Sequence, residues 1–434
     1  MSTTVWERVG ARGGAEARRA VIYGVIFLAA GLLIGLLFIR ETTWDQVTTF
    51  GLHPATETNA IPVPDLPVPS APALYAFGLI CVFVGAWQLA RGFKRATLVL
   101  GIVAGIFVLA FLTWAARDQT LQLTGLLSTA LLRSVPIAFA GLSGILCERC
   151  AVINIAIEGM MLTGAFSSAL MCSIALKIWG WSSWGSMLFG LFAAMVFGGL
   201  LGLLLAVLAV RYKVNQIIAG TAINILAAGL TSFLGASIMS EFQQTLNNPD
   251  IFPTVPIPIL SRIPVLGPIL FENNPLVYLL FILLAVVHIM LFYTRWGLRT
   301  RAVGEHPKAA DTLGINVFRT RYINVVLGGM VAGIGGAFLI LGAVGRFDEV
   351  MTAGKGFIGL AAMIFGNWMP FGLFGAALIF GFADALQARL TILRVGIPPQ
   401  IMAMAPYLVT MIALAGVVGE VAAPAADGEP YEKQ

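Results

Sequence analysis

Long apolar runs alternate with short, arginine-rich turns along almost the whole chain, from Val21 to Val418. The first run, Val21 to Ile39, places 19 apolar residues between Arg19 and Arg40. At about 1.5 Å of rise per residue, a helix of that length matches the roughly 30 Å hydrocarbon core of a bilayer. Later runs predict spans over 73–90, 96–116, 121–147, 151–176, 184–210, 216–239, 275–293 and 322–344. The end of the chain is less regular: 357–369 is short for a crossing, Pro370 interrupts it, and 371–391 and 399–418 follow. A short apolar segment stopped by proline predicts a discontinuous helix, whose open backbone is tolerable only inside protein or beside a water-filled cavity. The expected fold is all-α, a polytopic transmembrane helix bundle of about 10–12 spans with at least one discontinuous helix.

Composition agrees with that pattern and narrows what such a chain can do. Hydrophobic residues make up 59% and charged residues 11%, against about 45–50% and about 25% in soluble domains. The expected organisation is a cytoplasmic segment over 1–20, an anchor helix with a Pro-rich external loop over 21–72, a transmembrane permease domain over 73–420 and a tail over 421–434. Between the spans there is no room for an ATPase domain. The phosphate-cradling pattern G-x-x-x-x-G-K-[ST] is absent from the sequence, so no enzyme activity and no bound cofactor or metal is expected. A second Pro-rich segment, 240–274, carries apolar pairs such as Ile251-Phe252 and is expected to fold as an outer cap.

The net charge of +5 raises the question of nucleic acid, and the placement of the charges answers it. Arg8, Arg12, Arg18 and Arg19 precede the first span, Arg91, Lys94 and Arg95 follow the second, and 295–321 carries six basic residues. The segment 40–72 has Arg40 alone beside Glu41, Asp45, Glu57 and Asp65. Basic residues on alternate loops orient helices in a bilayer and do not form a nucleic-acid patch. Arg18-Arg19 stands before a run too long for a cleaved signal, so an uncleaved anchor is expected. Cys81, Cys147, Cys150 and Cys172 lie in or beside apolar segments and read as packing residues. Glycines clustered at 198–202 and 328–336 are the small residues that let membrane helices approach closely.

Three places carry polar groups where a lipid-facing helix would not. Glu148-Arg149, Asn154 and Glu158 fall within eleven residues, and ionisable groups at such depth are expensive. On a continuous helix Asn154 and Glu158 would share one face. The segment is expected either to line a path as a broken helix, with Glu158 tying down neighbouring backbone, or to hold an ion pair of Glu158 with Arg149. Asn215, Gln216 and Asn224 offer uncharged amides, suited to a hydrogen-bonding solute or to bonds between helices. The loop 294–321 centres on Glu305-His306-Pro307-Lys308-Ala309-Ala310-Asp311-Thr312-Leu313-Gly314. Pro307 can open a helix and Gly314 can end it, giving either a short helix for a soluble motor to grip or an ordinary basic loop.

Lys308-Ala309-Ala310-x3-Gly314 resembles the E-A-A-x3-G cytoplasmic loop of ABC importer permeases, with Lys in the Glu position. The chain is similar, more specifically, to permeases of the branched-chain amino acid, ribose and nucleoside importers. The match rests on Glu148-Arg149-x-x-Val152-Ile153-Asn154-Ile155-x-Ile157-Glu158-Gly159, Val214-Asn215-Gln216-Ile217-Ile218 and Gly297-Leu298-Arg299-x-Arg301-Ala302-x-Gly304-Glu305. It continues in Gly354-Lys355-Gly356-Phe357 and Ile364-Phe365-Gly366-Asn367-Trp368. Ile263 to Pro268 and Pro430-Tyr431 look most like the larger of two paired nucleoside permeases. Cys150 stands where the family usually has Ser.

The resemblance implies a bacterial inner-membrane importer subunit working with ABC ATPase subunits, a second and smaller permease, and an extracytoplasmic solute-binding lipoprotein that delivers a nucleoside. It assigns Glu305, Pro307, Lys308, Ala309, Ala310 and Gly314 to coupling, and Asn154, Glu158, Asn215, Gln216 and Asn224 to the translocation path. The rival readings are a permease for a simple sugar or a branched-chain amino acid, and an ion-coupled secondary transporter using Glu158 as its carrier acid.

Overall fold

A computed structural model describes residues 20–53, 58–393, 404 and 423–433. Ten helices among the described residues are long and apolar enough to cross a membrane, so the chain is an all-α, multi-pass membrane protein. It divides into two compact units, residues 1–125 with 389–397, and residues 126–388 with 398–434.

The first unit contains α1 (Ala20–Ile39), α2 (Ser70–Ala90) and α3 (Ala96–Ala115), joined through strands β1 (Val47–Gly51), β2 (Leu66–Pro69) and β3 (Thr120–Gln122). Phe27, Ile34, Phe38, Leu74 and Cys81 form its core, with the Phe38 ring stacked on Trp114 at 5.1 Å. The Pro-rich loop is more ordered than its composition suggests. Its end pairs antiparallel with β1, while β3 pairs parallel on the other side. Pro67 and Pro69 fall on β2, an edge strand, where a missing N–H leaves no bond unmade in the ladder. Thr48 on β1 is fully buried and donates to the Thr113 carbonyl at 2.7 Å.

The second unit contains α4 (Leu123–Glu148), α5 (Ile157–Ile178), α6 (Ser183–Arg211) and α7 (Gln216–Met239). After the short α8 (Gln243–Leu246) and the pair β4 (Val255–Pro256) and β5 (Glu272–Asn273) comes α9 (Pro275–Tyr293). Then follow α10 (Arg295–Glu305), α11 (Pro307–Thr312), α12 (Val317–Val344), α13 (Lys355–Phe365) and α14 (Pro370–Ile392). The expected cap over 240–274 turns its apolar pairs inward in part: Phe252 and Ile269 are buried in the main core. All four cysteines are buried and free.

Helices α4, α5 and α12 form the interior, with 89%, 72% and 78% of their most apolar stretch buried, while the other spans bury 22–39%. Burial in lipid gives apolar helices no reason to associate, so close backbone packing must supply it. The glycines provide that packing. Gly198 and Gly329 face each other between α6 and α12 with no room for a Cβ, and a Cβ on Gly164 would lie 2.6 Å from Gly333 of α12.

One expectation changes. The span predicted over 151–176 begins at Ile157, because residues 149–156 are not helical. Residues 149–156 thus form a non-helical link between two separate crossing helices, and among the described residues the short α13 is set apart from α14 by the turn at 366–369. The span expected over 399–418 lies outside the described residues except for Met404.

Candidate functional site

The break between α4 and α5 is held partly by its own turns and partly by hydrogen bonds from α7. Eight residues outside the helices still need partners for their buried backbone groups. The N–H groups of Arg149, Cys150, Ala151 and Val152 turn back onto the carbonyls of Ile145, Cys147 and Glu148, and the rest of the segment is tied to α7. Gln216 accepts from the Ile153 N–H at 2.7 Å. Asn224 donates to the Ile155 carbonyl and accepts from the Gly159 N–H, both at 2.8 Å. Gly159 and Gly220 let α7 come this close, since a Cβ on either would fall within 3.0 Å of the facing chain. Asn215 caps α7, accepting from the N–H groups of Ile217 and Ile218. Asn154 is fully buried in the break itself, directed at Ser143 and Cys147. It precedes α5, so it does not share a helical face with Glu158.

Both edges of the break reach for α13. Glu158, in the first turn of α5, accepts from the N–H groups of Gly354 and Gly356 at 2.8 and 2.7 Å. A carboxylate there satisfies orphan donors and meets the positive end of the α13 dipole. At the other end Arg149 donates to the carbonyls of Trp368 (3.0 Å) and Asn367 (3.4 Å), a cation at the negative end of the same helix. Glu148 accepts from the Trp368 indole N–H at 2.7 Å. Asn367 and Trp368 both have φ near +52°, a left-handed turn that non-glycine residues adopt only when surroundings hold it. The ion pair between Glu158 and Arg149 does not form. Each instead holds one end of α13, which carries no partner residue that the polar pattern of the sequence had marked. Gly354, Gly356 and Trp368 stand only in the motifs that carry the family resemblance.

The short helix expected in the 294–321 loop is present. Pro307 opens α11, and His306 caps it by accepting from the Ala309 N–H at its Nδ1. Gly314, at φ +81°, ends the turn that follows. Lys308 and Ala309 are exposed, whereas Ala310 is buried. The preceding helix α10 was not anticipated, because four basic or acidic residues among eleven hide its buried stripe of Gly297, Thr300, Val303 and Gly304. Gly304 lies against the Arg149 carbonyl with no space for a Cβ. The 294–321 segment therefore touches the residue that holds the end of α13.

The tail 423–433 packs on the same region. Ala426 donates to the Gly304 carbonyl at 3.0 Å, and Ala425 to the Glu305 carboxylate at 3.2 Å. Burial lowers the Arg149 pKa from its usual value, opposed by Glu305 and assisted by the like charge of Arg301. Burial also pushes the Asp427 carboxyl up to about 7 against the pull of the Gly428 N–H and Arg321. The Cys150 thiol is pushed up to about 12, chiefly by burial, which suits an inert packing residue. Among the described residues no group of three His, Cys, Asp or Glu side chains could hold a metal ion.

This geometry can now be set beside known proteins. Residues 126–417 match the family model of the branched-chain amino acid transport system permease component. The guanosine ABC transporter permease protein NupQ of Bacillus subtilis is 41% identical over 70% of this chain and 95% of its own length. The nucleoside ABC transporter permease protein NupC of Lactococcus lactis is 39% identical over 73% of this chain and 98% of its own. From that same strain, the nucleoside ABC transporter permease protein NupB is 24% identical over 68% of this chain and 78% of its own length. No solved structure gives a significant match. Nearly all of α4, the whole of α5 to α13 and the link 149–156 fall inside the matched region. This chain belongs to the branched-chain amino acid transport system permease component family: it is a membrane-embedded transport subunit, not an enzyme.

Proposed function

We propose that this chain is a permease subunit of an ATP-driven ABC importer in a bacterial inner membrane, and that its solute is a nucleoside. The observation that carries the solute assignment is the identity to NupQ and NupC across nearly their whole lengths. Its partners are ABC ATPase subunits on the cytoplasmic face, a second permease related to NupB, and an extracytoplasmic lipoprotein that delivers the solute.

The route from motor to path runs through named contacts. An ATPase gripping α11 at Lys308 and Ala309 moves α10 with it, and Gly304 passes that movement to the backbone of Arg149. Arg149 and Glu148 hold the end of α13, and Glu158 holds its start. A displacement of the α4–α5 break thus moves a half-helix as one piece. Two motor states that bind α11 differently then favour two positions of α13, which is what alternating access requires. Asn215, Gln216 and Asn224 contribute to the path by shaping the break, since their amides bond backbone.

The test is labelled uridine and guanosine uptake in proteoliposomes containing the complete complex. ATP-dependent uptake that unlabelled nucleosides suppress, and ribose or leucine does not, supports the reading. Suppression by ribose or leucine would replace the solute. Uptake that needs no ATP and collapses with a proton uncoupler would replace the mechanism with ion coupling.

A further inference from the structure

The tail 423–433 is more than a packed end of chain. Its backbone runs along α10 through the Ala426 bond to Gly304, and its Gly428, at φ +80°, lies against Ile153 in the α4–α5 break. Tyr431 stacks on Phe318 of α12 with ring centroids 5.4 Å apart, and Glu432 pairs with Lys213. Eleven residues thus touch α10, α12, the α6–α7 turn and the break.

Arg321 of α12 anchors this arrangement. Among the described residues it is the largest fully buried side chain, 1% exposed. Its Nη1 donates to the Glu429 carbonyl at 2.9 Å, while Nε and Nη2 have no hydrogen-bond partner among the described residues. The Asp427 carboxylate stands within electrostatic reach and has one buried oxygen equally unpartnered. Burying a cation so incompletely bonded opposes stability, and a segment that only had to be stable would be served better by apolar packing. The arrangement fits a joint that has a second set of partners in another state.

We propose that the tail is a strap, fastened by Arg321, that makes the coupling helices and the α4–α5 break move as one body when ATP drives transport. Arg321 is a positioning residue: it acts through the tail and touches neither solute nor motor. The inference rests on the ABC importer reading above.

The test compares solute moved with ATP hydrolysed in proteoliposomes of the complete complex. In the double variant Tyr431→Ala with Glu432→Arg, whose changes lie at the tail alone, the ATPase still co-purifies and hydrolyses ATP. Solute moved per ATP falls by about tenfold, the size of an ordinary coupling free energy. Arg321→Ala does the same, and Arg321→Lys recovers part of the loss. A wild-type ratio in the tail variant overturns the proposal. So does a fall in uptake and hydrolysis together at an unchanged ratio, which marks loss of folded complex. If the wild-type complex moves solute without ATP, the importer reading fails first and the strap falls with it.

Discussion

Trp368 donates its indole N–H to the Glu148 carboxylate at 2.7 Å, joining residues 220 positions apart with both side chains buried. A carboxylate so enclosed has few other donors. Trp368→Phe keeps the ring and removes the N–H, so Glu148 is left with an acceptor unmet. The expected loss is about 1–3 kcal/mol, the cost of leaving a buried partner unsatisfied. Thermal unfolding in detergent measures it. In a double-mutant cycle with Glu148→Ala the two losses should not add, because both remove one interaction.

Glu158 makes a different demand, since both its oxygens accept from α13. Glu158→Gln keeps the size but offers one acceptor, and its amide nitrogen then faces the N–H of Gly354 or Gly356. The helix start also loses a charge worth about 0.3–2 kcal/mol at such a position. Uptake should fall about tenfold or more while the protein still reaches the membrane, since 1.4 kcal/mol on the poise of α13 is already a factor of ten. An ion-carrying Glu158 would instead lose only the ion dependence, and measuring uptake against external pH separates the two.

The membrane pattern of the sequence placed most spans within a few residues, since twenty apolar positions leave few alternatives. It could not place the break at 149–156. Val152, Ile153 and Ile155 keep the segment apolar, and the groups that satisfy its open backbone belong to α7, more than sixty residues on. Glu158 and Arg149 stand out in the sequence by their cost in a membrane, but their targets do not, being backbone groups that leave no trace in side-chain identity. The tail was equally silent: Ala-Pro-Ala-Ala-Asp-Gly reads as a loose end, and Arg321 as one more basic flank of a span.

Docking of the tail should depend on pH through Asp427. Its carboxyl has an ordinary value of 3.8 when free and is raised to about 7 in place, by burial. A group whose pKa is raised on docking favours the docked form fully below the free value. That preference is lost as pH rises through the docked value. Docking therefore weakens from about pH 4 to about pH 7 and is flat above. Glu148 and Cys147 of α4, Cys150 of the break and Arg321 of α12 all act on this carboxyl or feel it. Asp427→Asn should flatten the dependence, read as hydrogen exchange at the Ala425 and Ala426 amides. An unchanged profile would assign the titration to one of those neighbours.

Ala309 and Ala310 are adjacent in α11 but differ in kind. Ala309 is exposed and Ala310 is 2% exposed. Ala309→Arg should abolish ATP-driven uptake with thermal stability and solute capture by the binding protein intact, because only the surface offered to the ATPase changes. Ala310→Arg should lower stability itself, by several kcal/mol, the usual result of forcing an unpaired charge into a packed site. Normal uptake in the Ala309 variant would remove α11 from the coupling route.

Gln216 and Asn224 decide whether the path residues touch solute or shape the wall. Gln216→Ala leaves the Ile153 N–H without its acceptor, and Asn224→Ala frees both the Ile155 carbonyl and the Gly159 N–H. Each unmet buried backbone group costs about 1–3 kcal/mol, so Asn224→Ala should destabilise more than Gln216→Ala. If these amides only hold the break, both variants lower the maximal rate in proportion to the loss of a well-formed α4–α5 turn, and relative uptake of guanosine and uridine stays as in the wild type. A changed ratio between the two nucleosides at wild-type stability would place the amide on the solute instead, because discrimination between bases needs a contact that the bases do not share.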